Sequence, residues 1–227
     1  MTDNSDLTDQ PPSSSGSGKP FAGLKVAILY SDAKREYFAT EEHYLTEAEV
    51  IDRAKIIAPY FEKMGAEVFL LSGDEQLSEK LLAIKPSLAL NLVDSIRGQE
   101  YLSASIPGVL ELLNIPYTGA GILSLSIDKN KFLIKKMLEQ YGLPVPRYQL
   151  IINPNEEIDP LLRYPLISKI NAIHGSVEID QTAVSESERH LRERIKRLMD
   201  TYREEILVEE YIGGRELTAM IFEGYKR

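Results

Sequence analysis

The stretch Lys25-Val-Ala-Ile-Leu-Tyr30, KVAILY, decides the fold. It is short, apolar and partly β-branched, with no polar alternation, which predicts a strand buried on both faces. Downstream, Val50, Ala54, Ile57, Phe61 and Met64 recur at helical spacing and end at Gly65, with Pro59 expected to kink the helix. AEVFLL (66–71) and SLALNLV (87–93) predict two more buried strands, with a helix, EQLSEKLLAI (75–84), between them. Strands and helices alternating at this spacing require right-handed crossovers and a parallel sheet. The first half of the chain is therefore expected to be doubly wound α/β.

Leu102, Ile106, Val109, Leu110 and Leu113 predict a further helix, broken near Pro107-Gly108, before the turn-rich NIPYTGAG. A domain boundary is expected at Gly121, giving domains over 23–121 and 122–227. Residues 1–22, rich in Ser, Gly, Pro and Asp, are expected to form a disordered tail. The second half opens with a helix capped by Ser126 or Asp128 and stopped by Gly142 and Pro144. Strands are expected at 147–152, 165–170, 205–212 and 216–222, with an amphipathic helix over about 186–203. This order suits an α+β nucleotide-binding subdomain.

Composition narrows the partners. With 43% hydrophobic residues the chain can bury a core, and its formal charge of -9 lacks the basic footprint of a nucleic-acid binder. A small-molecule partner is expected instead. The chain has no cysteine, which excludes disulfides and thiolate zinc sites and fits a cytoplasmic location. No apolar run approaches the roughly 20 residues that span a bilayer.

A spaced set of charged residues carries the chemistry. Lys169 leaves the apolar PLISK, where an ammonium needs an anion such as phosphate; a lysine snorkelling to solvent is the plainer alternative. Lys129, read as lying in the first turn of its helix, makes sense there if it faces an anion. NAIHGS (171–176) reads as a mobile loop whose backbone N–H groups and Ser176 hydroxyl close over phosphates. In VEEYIGGRE (208–216), Glu209 suits an exocyclic amine, the backbone edge a purine, and Glu216 a ribose diol. An acidic hairpin with solvated charges remains the alternative there. His43 and His190 are read as surface residues, and His174 as touching phosphate at most. No P-loop, HExxH or Ser/His/Asp grouping is present.

Taken in order, GVLELLNIPYTGAGILSLSIDKNKFLIKKMLEQYGLPVPRYQLI, YPLISKI with HGSVEID, and ILVEEYIGGRELTAMI resemble the ATP-grasp superfamily, and within it the D-alanine:D-alanine ligases. The resemblance is specific over about 108–221 and looser over 24–107. It implies a Rossmann-like N-terminal domain followed by an ATP-grasp subdomain that is incomplete at its C-terminus. It implies a cytoplasmic ligase of cell-wall (peptidoglycan) biosynthesis that phosphorylates a carboxylate with ATP, then lets an amine displace phosphate to form an amide. By position, Lys129 and Lys169 match the phosphate-binding lysines and Ser176 a catalytic position in the phosphate loop. Glu209, Glu210, Tyr211 and Ile212 match the adenine-binding stretch, and Glu216 the ribose-binding carboxylate.

The chain departs from the family at several places. HGSVE (174–178) stands for the usual GSSVG, placing Glu178 where a glycine is expected. Lys34 stands where a substrate-binding carboxylate is expected, and residues 91–100 replace the HGxxGEDG turn. The ligated amino acid is therefore not read from the resemblance. Magnesium is implied, but its ligands are expected beyond Arg227, so this chain is expected to hold only the ATP-binding half and to lack turnover alone. Its partners would be ATP and an amino acid, with a homodimer or a missing C-terminal part also expected. Two alternatives stand beside this reading: a non-catalytic ATP-binding module, and an ATP-grasp ligase for another amino acid or peptide.

Overall fold

The computed structural model describes residues 18–219. Its first layer runs through β1 (Lys25–Tyr30), α1 (Glu41–Lys63), β2 (Glu67–Ser72), α2 (Leu77–Ile84) and β3 (Leu88–Leu92). β1 is the centre of a parallel sheet of order β2-β1-β3, with Val26 opposite Val68 on one side and Leu88 on the other. Successive side chains of β1 leave on opposite faces. Val26 and Ile28 pack with Ala54 and Ala58 of α1, whereas Ala27 and Leu29 pack with Leu77 and Leu81 of α2. The first sheet is therefore covered on both faces, the doubly wound arrangement that KVAILY predicts. β2, expected to be buried, is an edge strand in which only Leu71 is buried.

A 3₁₀ turn at Glu100–Ala104 leads into α3 (Ser105–Leu112), followed by α4 (Ile122–Asp128) and α5 (Lys131–Gln140). Then come β4 (Tyr148–Ile151), β5 (Leu166–Ile170), the short β6 (Val184–Ser185), α6 (Glu188–Tyr202) and β7 (Ile206–Glu210). These strands form an antiparallel sheet of order β4-β7-β5-β6. Its core joins Leu166, Ile170 and Ile206 to Leu191, Ile195 and Leu198 of α6. The amphipathic stripe of α6 is what covers this sheet.

Several expectations need correction. α1 begins at Glu41, well before Val50, because Thr40 caps it by accepting from the His43 N–H at 3.2 Å. It then runs through Pro59 to Lys63. The break expected near Pro107 lies earlier, between the 3₁₀ turn and α3; Pro107 sits in the first turn of α3, where a missing N–H leaves no bond unmade. The single helix expected after Ser126 is two helices. Asn130, neither Ser126 nor Asp128, caps α5 by accepting from the Leu133 N–H at 3.0 Å. Residues 19–22, assigned to the tail, turn back on the end of α1, where the Phe21 N–H donates to the Met64 carbonyl at 2.9 Å. Residues 216–219 form no strand, and the rest of the strand expected at 216–222, like residues 1–17 of the tail, lies outside the described residues. No helix among the described residues is long and apolar enough to cross a membrane.

Candidate active site

One cleft, of about 230 Å³, opens where α5 crosses the second sheet. On α5, Lys131, Ile134, Lys135 and Leu138 face it, and the strands supply Lys169, Leu207 and Glu209. The four helix residues are the i, i+3, i+4, i+7 stripe of one face. Register places the strand residues: β7 lies between β4 and β5, with Lys169 opposite Leu207 and Ile167 opposite Glu209.

Three ammonium groups and one carboxylate line this cleft. Glu209 is ion-paired to Lys169, and its Oε2 lies 2.5 Å from Lys135 Nζ. Burial pushes the Glu209 carboxyl up, but Lys135 and Lys169 outweigh it and hold the group below the usual carboxylate range. Lys131 Nζ donates to the Ile170 carbonyl at 3.0 Å and the Ile173 carbonyl at 2.6 Å. Burial pulls its pKa down to about 8. Asn171 clamps this corner: its Oδ1 accepts from the Phe132 N–H at 3.0 Å, and its side-chain amide donates to Asn130 Oδ1 at 3.2 Å. It is 1% exposed, a buried bracket instead of the start of the mobile loop expected from NAIHGS.

The expected site residues divide between this cleft and other places. Lys169 and Glu209 are brought together, and the anion that Lys169 meets is Glu209 itself. Lys129 does not line the cleft: it ends α4, and its Nζ lies 3.6 Å from Glu100 Oε2. The lysine in the first turn beside an N-cap is Lys131, so the anion-facing position expected of Lys129 belongs to its neighbour. Lys135 was also missed. Their signal was the stripe they share with Ile134 and Leu138, which the Asp128-Lys129 pair obscured.

Glu210 points away from the cleft, its Oε1 accepting from the Arg163 N–H at 3.0 Å. The backbone edge expected to meet a purine is already used: the Glu210 N–H donates to the Arg147 carbonyl and the Tyr211 N–H to the Pro165 carbonyl. Tyr211, Ile212 and Glu216 are exposed outside the cleft. Ser176, also outside it, lies in a tight turn in which Gly175, Ser176 and Glu178 all have positive φ. That turn rests on α1, since a Cβ on Gly175 would stand 3.1 Å from Thr46 Cγ2. Glu178 is directed outward: Arg197 Nη2 donates to its Oε2 at 2.8 Å and the Tyr202 hydroxyl to its Oε1 at 3.1 Å. The Arg197 guanidinium holds its carboxyl below the usual range.

A second polar cluster joins the two sheets. Glu100, buried, accepts from the His174 N–H at 2.8 Å and lies 2.7 Å from His174 Nδ1. Burial pushes Glu100 up, but the bonds to His174 hold it below the usual range. His174 thus meets a carboxylate instead of phosphate. His43, read as a surface residue, is 5% exposed, whereas His190 is exposed as expected. Burial pushes the nearby Glu47 carboxyl up to about 7.

The comparisons with known proteins converge. No protein-family model matches the chain. A D-alanine–D-alanine ligase of Azorhizobium caulinodans is 30% identical over 161 residues, covering 71% of this chain and 51% of the relative. One of Caulobacter vibrioides is 27% identical over 215 residues, covering 95% and 60%. The chain thus spans about half to three-fifths of these relatives. Among solved structures, the Bacillus anthracis D-alanine–D-alanine ligase complexed with ATP matches with a TM-score of 0.56 and 20% identity, covering 84% of this chain and 60% of that one. That likeness shows the fold. Over the length that it spans, the chain is similar in sequence to D-alanine–D-alanine ligases and shares their fold.

Proposed function

We propose that the cleft between α5 and the second sheet is the ATP-phosphate end of a carboxylate–amine ligase site. The observation that carries this reading is the charge balance of the cleft: Lys131, Lys135 and Lys169 line it together with the single carboxylate of Glu209, which pairs with Lys135 and Lys169 and leaves Lys131 on backbone carbonyls. Such a site holds excess positive charge in a half-buried place, and a polyphosphate compensates it. Ile134, Leu138 and Leu207 offer the apolar wall against which a base stacks. Glu209 keeps the lysines paired until a nucleotide arrives, and then its carboxylate is free to accept from an exocyclic amine. Lys131 replaces Lys129 in this reading as the helix-borne phosphate ligand. Ser176 and the turn around it would cover the phosphates after a movement away from α1, with Tyr211, Ile212 and Glu216 completing the adenosine side.

The reaction class we propose is the one implied by the resemblance: ATP phosphorylates a carboxylate, and an amine then displaces phosphate from the acyl phosphate. The division at Gly121 into a Rossmann-like domain and an ATP-grasp domain belongs to the same reading. Glu209, the one carboxylate lining the cleft among the described residues, is neutralised by two lysines and does not suit magnesium.

The test is binding of a non-hydrolysable ATP analogue to the 227-residue chain by calorimetry. Lys169→Ala is expected to weaken binding about ten- to hundredfold, since hydrogen bonds to charged groups contribute roughly 1.5–3 kcal/mol. Equal affinity in Lys169→Ala and the parent chain would sink the assignment.

A further inference from the structure

The buried stripe of α1 runs His43, Glu47, Val50, Ala54, Ala58. Its C-terminal part seals the first sheet, whereas its first two turns place an imidazole and a carboxylate on one face at i and i+4. Glu100 reaches the same point from the 3₁₀ turn. His43 Nε2 lies 4.0 Å from Glu100 Oε1, and one ligand atom from each of His43, Glu47 and Glu100 lies within 4.8 Å of the others. All three residues are more than nine-tenths buried.

Each carboxylate is oriented by hydrogen-bond partners. Glu47 Oε2 accepts from Ser95 Oγ at 2.7 Å. Glu100 Oε2 lies 2.7 Å from His174 Nδ1 and is faced by Lys129, while Oε1 accepts from the His174 N–H at 2.8 Å and has its second lone pair for the side of His43. The His43 ring is braced edge-on by Phe38, with centroids 4.9 Å apart. Yet His43 Nε2 is buried with no hydrogen-bond partner among the described residues. A buried polar atom left unpaired is destabilising, and a ligand at that point would satisfy it.

We propose that His43, Glu47 and Glu100 form a binding site for a divalent transition-metal cation of the zinc class. One imidazole nitrogen and two carboxylate oxygens match zinc's preference for mixed nitrogen and oxygen donors, and two carboxylates balance a dication. Calcium takes six to eight oxygens, and magnesium an octahedron that usually keeps several waters, so a three-donor buried site with an imidazole disfavours both. Ligands around a tetrahedral zinc stand about 3.3 Å apart, so binding draws the three side chains together. Ser95 and His174 act as the outer partners that fix ligand orientation. The ion would tie α1 to the 3₁₀ turn and, through Glu100 and His174, to the turn that carries Ser176.

The experiment adds zinc chloride to the metal-free 227-residue chain and follows binding by calorimetry and the histidine ring resonances by NMR. One equivalent is expected to bind, shifting the His43 ring and leaving the exposed His190 unmoved. His43→Gln and Glu47→Gln, checked for folding by circular dichroism, are each expected to weaken binding at least about tenfold, and His190→Gln to leave it unchanged. An absence of zinc uptake, or uptake that shifts His190 and not His43, overturns the proposal. The ring resonances of the unmutated chain distinguish these outcomes even if a variant does not fold.

Discussion

Lys131 and Lys129 stand two residues apart and face different surroundings. Lys131 opens α5, lines the cleft and holds the Ile170 and Ile173 carbonyls, whereas Lys129 ends α4 beside Glu100. Lys131→Met, which keeps much of the stem, is therefore expected to weaken nucleotide binding about ten- to hundredfold, and Lys129→Met by less than about threefold. Burial brings Lys131 to about pH 8, so nucleotide affinity should fall as pH rises through that value and the ammonium loses its charge. Titrating affinity between about pH 7 and pH 9 checks this, with Lys131→Met expected to flatten the fall; a reversed ranking of the two variants would return the phosphate role to Lys129.

At the scale of elements, Glu178 links the Ser176 turn to α6. In a phosphate loop a carboxylate at this position is a liability only if it faces the ligand, and here Arg197 and Tyr202 hold it on the other side. Arg194 of α6, buried, adds a bond to the Glu178 carbonyl and one to Ser168 Oγ at 2.9 Å. Glu178→Ala should destabilise the fold by about 2 kcal/mol, the range of a charged hydrogen bond. The sign of the pH dependence follows from the depressed carboxyl. Its stabilisation is present above the ordinary value of 4.5 and is lost as pH falls through the lower folded value. Urea midpoints of parent and variant should therefore differ at about pH 7 and converge in acid, while a gap independent of pH would assign the effect to packing. What the sequence discloses at this scale is uneven for a physical reason. β1 is legible as a continuous apolar run and α6 because its burial follows the helical period. The first two turns of α1 are not, because His43 and Glu47 are buried polar residues that read as surface. The end of α4 at Lys129 hides in a run of polar residues, and the pairing of Lys169 with Glu209 depends on strand register across 40 positions.

At the scale of the whole molecule, the first sheet's core, which has one cluster on each face, shares no buried residue with the second sheet's core, and polar contacts join the two. Glu100 receives His174 and faces Lys129, and Thr40 Oγ1 lies 3.1 Å from the Tyr202 hydroxyl, which also reaches Glu178. Such a joint transmits position without the area of an apolar interface, so its stability rests on a few charged groups. Glu100 is the most connected of them. Glu100→Ala leaves Lys129, whose side chain is 10% exposed, without its carboxylate and removes the acceptor of the His174 N–H. Losing one member of a buried ion pair costs roughly 3–5 kcal/mol, and here the loss falls on the joint and not on either core. Hydrogen exchange followed by mass spectrometry should show faster exchange over residues 172–178, with Ile28 of the first core and Ile206 of the second retaining their protection. Uniform loss of protection across both cores would show instead that the two sheets unfold as one unit, and unchanged exchange at 172–178 would mean that α1 alone holds the turn through Thr46.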